Sequence, residues 1–176
     1  MIESYPEDRN ASRLFCEGSF PQLGKTRRVE MKMNPEELRN KVDLAIDMFF
    51  ARDSKLLDID ASEWAIAHRI AVYLEEPLKG WNIDCEYNRV ALEGNTKRDA
   101  EGIYRRPDII VHHRGMVEKE HNPLVIEVKI QNTPEDYRKL MDFTSPPRQN
   151  RPFQYQYGLA LSFDPHIEKK WFPEQT

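Results

Sequence analysis

Residues 107–130 read PDIIVHHRGMVEKEHNPLVIEVKI. Two runs stand out, Pro107-Asp108-Ile109-Ile110-Val111-His112 and Leu124-Val125-Ile126-Glu127-Val128-Lys129-Ile130. Both are β-branched and nearly continuously apolar, which predicts central strands covered on both faces; a strand wet on one side would alternate. Successive strand side chains point to opposite faces, so Glu127 and Lys129 share one face while Ile126, Val128 and Ile130 share the other. A carboxylate and an ammonium inside a covered strand are costly unless they are paired or hold an ion.

Upstream, Trp81, Ile83, Cys85 and Tyr87 alternate with Asn82, Asp84, Glu86 and Asn88, the pattern of a half-buried strand. The charged, glycine-containing stretch 91–102 then predicts a loop. A helix is expected from about Ala61 to Glu76, stopped by Pro77 and Gly80, with Ala67, Ile70, Ala71 and Leu74 on its apolar face. Glu63 heads that stripe, an odd place for a carboxylate. The competing reading is a capping box, Asp60-Ala61-Ser62-Glu63, with Glu63 reaching back to the Asp60 amide. An earlier helix starts at Asn34-Pro35 and carries Leu38, Val42, Ile46 and Phe49 at helical spacing. Residues 1–30 are polar and without period, and are expected to form a mobile extension.

Downstream, Thr133-Pro134 opens a helix whose buried side should be Tyr137, Leu140 and Met141. A proline-rich loop spans 145–152, a last strand 157–163, and the tail after Asp164 is polar apart from Trp171 and Phe172. The expectation is one α/β domain over 34–176, its core at about 60–163. Four core strands would form a mixed sheet flanked by helices, in the order αβββαβ, with an extra N-terminal helix.

The chain has 176 residues, 26 Lys plus Arg against 30 Asp plus Glu, and a net charge of -4. That length suits a single domain. No apolar run approaches the roughly 20 residues of a membrane span, and the acidic N-terminus lacks an apolar signal core. Cys16 and Cys85 make neither a disulfide framework nor a four-ligand zinc site, so a cytoplasmic protein with reduced thiols is expected. The charge balance excludes a histone-like binder; nucleic acid would have to meet a local basic patch.

If the two central strands are neighbours, Asp108 and Glu127 converge with Lys129 beside them. Two adjacent carboxylates repel unless a cation or proton lies between them, and hard oxygen ligands suit Mg²⁺ or Mn²⁺. Such an ion stabilises charge on a phosphoryl oxygen, while a lysine can orient or deprotonate the attacking water or stabilise a pentacovalent phosphate. This is phosphodiester hydrolysis chemistry. The bland alternative, a structural ion pair, leaves one acid over. Asp53-Ser54-Lys55 and Glu168-Lys169-Lys170 share the acid-x-Lys spacing, but only Glu127-Val128-Lys129 lies in a predicted strand with a Pro-Asp 19 residues before it.

Pro107-Asp108 followed by Glu127-Val128-Lys129, in this order of elements, resembles the PD-(D/E)XK, or restriction-endonuclease-like, nuclease superfamily. The resemblance covers roughly residues 60–163. It implies that Asp108 and Glu127 bind metal, that Lys129 is the catalytic lysine and that the Val128 carbonyl is a further ligand. Glu63 matches the acidic residue many members add from the preceding helix. The helix after Lys129 has Asp136, Tyr137 and Lys139 but no Gln-x-x-x-Tyr motif, which departs from the exonuclease-like branch.

Lys97, Arg98, Arg105 and Arg106 cluster around the loop into Asp108 and are the expected phosphate contacts, with Arg138 and Lys139 on the later helix. Glu86 is expected to be a solvated strand charge and His68 to lie on a helix surface. His112 and His113 point oppositely and offer no evident zinc site. The expected activity is Mg²⁺-dependent cleavage of DNA, with RNA or a nucleotide as other substrates and a homodimer implied for cutting both strands. The alternative is a catalytically inactive module of the same fold, binding nucleic acid or assembling with protein, in which Lys129 neutralises the acids.

Overall fold

The computed structural model describes residues 33–90, 95–97, 105–148 and 151–173. The expected 1–30 extension, Cys16 and Arg98 lie outside them. Helix α1 (Pro35–Asp53) begins where predicted: the Asn34 side chain accepts from the Glu36 amide at 2.9 Å, and Leu38, Val42, Ala45, Ile46 and Phe49 are buried. A single turn, α2 (Lys55–Asp58), leads to α3 (Glu63–Glu75), which buries Ile66, Ala67, Ile70, Ala71, Tyr73 and Leu74. The cap of α3 is Ser62, accepting from the Ala65 amide, not Asp60. Asp60 adopts a left-handed backbone (φ 51°) that turns the chain before the helix starts, so the capping-box reading of Glu63 fails.

Strands β1 (Asn82–Cys85), β4 (Ile109–His112), β5 (Leu124–Lys129), β6 (Tyr157–Ser162) and β7 (Glu168–Phe172) form one mixed sheet in the order β1-β4-β5-β6-β7. The β5–β6 pair is parallel and the other three are antiparallel. The sheet has five strands where four were expected, because the tail returns as β7. Its signal was the Trp171-Phe172 pair: Phe172 is buried, and Trp171 lies under the Arg39 guanidinium at 5.0 Å. β2 (Arg89–Val90), just before the stretch expected to be loop, and β3 (Asn95–Thr96), inside it, form a minimal antiparallel ribbon.

Both faces of the sheet are covered, as the unbroken apolar runs require. Ile109, Val111, Leu124, Ile126, Val128, Leu159 and Leu161 pack with α1 and α3. Ile110, Val125 and Ala160 pack on the other side with Leu140 and Phe143 of α4 (Pro134–Thr144) and with Phe153 and Tyr155. Thr133 and Asp136 close a reciprocal capping box at the start of α4. Met141, expected inside, is 54% exposed, and Phe143 takes its place. Leu140 and Phe143 are three apart and share a helix face, whereas position 141 is turned away from Leu140 by about 100°. No helix among the described residues is long and apolar enough to cross a membrane.

Candidate active site

Strand β5 lies between β4 and β6, and its register with β4 pairs Ile109 with Ile126. Continuing that ladder by one step sets Asp108, just before β4, opposite Glu127. The Asp108 carboxylate folds over β5: Oδ2 accepts from the Val128 amide at 2.7 Å and from Lys129 Nζ at 3.2 Å. Glu63, at the first turn of α3, reaches the end of the same strand. Its Oε1 accepts from the Ile130 amide at 3.0 Å, and its Oε2 lies 3.2 Å from Lys129 Nζ. The Val128 carbonyl also accepts from Lys129 Nζ, at 3.2 Å.

One ammonium is therefore surrounded by oxygens of Asp108, Glu63 and Val128, three of the four residues expected to bind metal. Burial opposes the charge on Lys129, but the fields of Asp108, Glu127 and Glu63 and the hydrogen bond to Asp108 outweigh it. Lys129 is thus held well above the ordinary lysine range and stays protonated.

Glu127 is the most deeply placed member, 1% exposed in the middle of the sheet. Its Oε2 accepts from Lys139 Nζ at 2.7 Å, and its Oε1 is buried without a hydrogen-bond partner among the described residues. Burial pushes its pKa up to about 7; the Asp108 charge adds to this and Lys139 opposes it. Lys139 also donates to the Arg106 carbonyl at 3.1 Å, which ties α4 to the segment entering β4. Sequence reading placed Lys139 among surface bases and missed this role. The available signal was the buried Glu127 itself, which needs a cation of its own once Lys129 is engaged elsewhere.

The basic residues expected to meet phosphate divide. Arg105 pairs with Glu135 at 2.9 Å, and Arg106 pairs with Glu86. Glu86 is therefore not a solvated strand charge: its backbone turns left-handed (φ 56°), ends β1, and points the carboxylate at Arg106. Lys97 is 3% exposed and cannot be a phosphate contact as it stands. It donates to the Tyr155 hydroxyl at 2.6 Å and the Tyr87 carbonyl at 3.3 Å, among the rings of Tyr87, Phe153 and Tyr155. Burial lowers its pKa to about 7, against a weak pull from Asp84. His112, inside β4 and 2% exposed, meets Asp84 at 2.7 Å, and Arg114 holds the same carboxylate. His113 turns the other way, stacked on Trp81 and 3.0 Å from His121. His68 is on the surface of α3 as expected, beside Trp64.

Among the described residues no three His, Cys, Asp or Glu side chains converge as a ready metal cluster. Asp108, Glu63 and Glu127 are instead each engaged by a lysine. The donor set nevertheless fits a hard divalent ion: it consists of carboxylate and carbonyl oxygens, and one buried carboxylate oxygen is left unpaired. Comparison with protein-family models, curated proteins and solved structures gives no match to this chain.

Proposed function

We propose that this chain is a metal-dependent nuclease of the PD-(D/E)XK kind, cleaving DNA phosphodiester bonds in the cytoplasm. The observation that carries the reading is the cage of three oxygens, from Asp108, Glu63 and Val128, closed around a single positive charge beside the unpaired Oε1 of Glu127. Glu127, Asp108, Glu63 and the Val128 carbonyl are the residues that would hold Mg²⁺ or Mn²⁺. The bound ion supplies neutralisation of phosphoryl oxygen charge and a more acidic water. Lys129, kept protonated by its acidic neighbours, acts as a fixed positive charge that orients the attacking water and stabilises the developing phosphorane; it is not the base. Lys139 holds Glu127 Oε2 and leaves Oε1 for the ion. A homodimer would bring two such sites to the two strands of a duplex, and RNA or a nucleotide would be cleaved by the same chemistry.

The test is nicking of plasmid DNA with Mg²⁺ by the wild type, Glu127→Ala and Lys129→Ala. Activity in the wild type alone supports the reading. Equal activity in all three, or none in any, defeats it. A second reading, an inactive module of this fold, draws on a specific observation: Lys129 and Lys139 already neutralise the acids. It requires that calorimetry detect no Mn²⁺ binding.

A further inference from the structure

Two apolar side chains stand in water next to this site: Trp64 is 60% exposed and Ile130 37%. Each is the chain neighbour of a site residue, Trp64 of Glu63 and Ile130 of Lys129. The two pairs are fastened together, because the Glu63 carboxylate accepts from the Ile130 amide and meets Lys129 Nζ. Trp64 is not among the residues that pack against the core: α3 buries positions 66, 67, 70, 71, 73 and 74, and position 64 lies at the rim of that stripe, beside position 71, with its side chain in water. The indole is held in place all the same. It stacks on the imidazole of His68, one turn along, with ring centroids 6.0 Å apart and 25° between planes. An exposed tryptophan, oriented by a neighbouring ring and adjacent to a charged site, is suited to contact a ligand.

We propose that Trp64, braced by His68, is a stacking platform for an unpaired nucleobase beside the scissile phosphate. The inference rests on the nuclease reading and narrows it to substrates that are single-stranded or frayed at the cut. A flat indole face accepts any base because every base has a π-face, whereas a base within a duplex is already stacked on its neighbours. The chemistry also places the two halves of a nucleotide correctly. Lys129 attracts the phosphate, and the ring that meets the base hangs from the residue next to Glu63.

The test compares binding of labelled single-stranded DNA by fluorescence anisotropy in Ca²⁺ for wild type, Trp64→Leu and Trp64→Phe. A second oligomer carries the same phosphates on abasic sugars. The wild type is expected to prefer the base-bearing strand about tenfold. Trp64→Leu should melt like the wild type and lose that preference, and Trp64→Phe should keep most of it. Equal binding of both oligomers by the wild type, an unaltered preference in Trp64→Leu, or no binding of either oligomer overturns the platform. Cleavage of the base-bearing single strand and of plasmid DNA in Mg²⁺ is scored separately. A wild type that cleaves either while Trp64→Leu binds normally defeats the platform alone. A wild type that cleaves neither but shows Trp64-dependent base preference defeats the nuclease reading alone.

Discussion

Lys139 on α4 places its ammonium 2.7 Å from Glu127 Oε2, at the centre of the sheet. Lys129, only two residues from Glu127 on the same strand, is turned instead toward Asp108 and Glu63. The carboxylate in the middle of β5 is thus served by a helix and not by its own strand. Removing one partner of a buried ion pair leaves an uncompensated charge, a cost of about 3–5 kcal/mol. Lys139→Met should therefore lose about 3 kcal/mol at pH 8, measured by urea unfolding. The loss should shrink at pH 5. The folded pKa of Glu127, about 7, lies above its ordinary 4.5, so the folded state keeps this proton as pH rises through that interval and stability falls with it. At pH 5 Glu127 is neutral, and Lys139 contributes only a hydrogen bond. An equal loss at both pH values would contradict the assignment.

On the proposed reading, Mn²⁺ should stabilise the fold, because the site it would occupy exists only when β4, β5 and α3 are assembled. At a hundred times its dissociation constant the gain is about 2.7 kcal/mol. Thermal or denaturant unfolding with and without Mn²⁺ reads it directly. Asp108→Asn and Glu127→Gln should abolish the gain while remaining folded. A wild type indifferent to Mn²⁺ would favour the inactive module.

Lys97 predicts the opposite pH slope. Its folded pKa, about 7, lies below the ordinary 10.5, so between these values the unfolded chain binds more protons and stability rises with pH. Lys97→Met removes that dependence. The variant should gain about 1 kcal/mol over the wild type at pH 6–7 and lose the advantage toward pH 10. A constant difference across the range would show that the buried amine does not titrate there.

Burial, with the charges of Asp84, Glu86 and Asp108, raises the Cys85 thiol to about 11 from its ordinary 9.0. The reactive thiolate is then about 100-fold scarcer at neutral pH. Iodoacetamide should label Cys85 about 100-fold more slowly in the native protein than in urea, as followed by peptide mass. Fast native labelling would mean that the β1 edge opens readily.

The elements that could be read from residues alone were those whose side chains carry a periodic signal. β4, β5 and β6 are largely apolar runs, α1 and α4 are each announced by a cap and a stripe, and α3 by its stripe and its Pro77 and Gly80 stop, its Ser62 cap being hidden behind the Asp60 pattern. The convergence of Asp108, Glu127 and Lys129 followed from the same reading, because a charge in such a run has to be answered locally. Three features were not legible. Lys97 looks like any loop base until Tyr87, Phe153 and Tyr155, up to 58 residues away, close around it. The Glu86–Arg106 pair depends on a left-handed residue that strand alternation cannot foresee. The choice of Lys139 over Lys129 as partner of Glu127 depends on how α4 lies across β5, which no local spacing encodes.

The return of the tail as β7 also bears on how copies of this protein meet one another. Without it, β6 would end the sheet as a six-residue run whose interior is Gly158-Leu159-Ala160-Leu161, with a row of open amides and carbonyls. A flat apolar border of that kind recruits strands from other molecules. β7 replaces it with a margin bearing Glu168, Lys169 and Lys170. Lys169 is anchored to Asp43 of α1 at 2.5 Å. Clipping β7 away should leave the acids and lysines of β5 where they are and make the chain self-associate through its newly bared border.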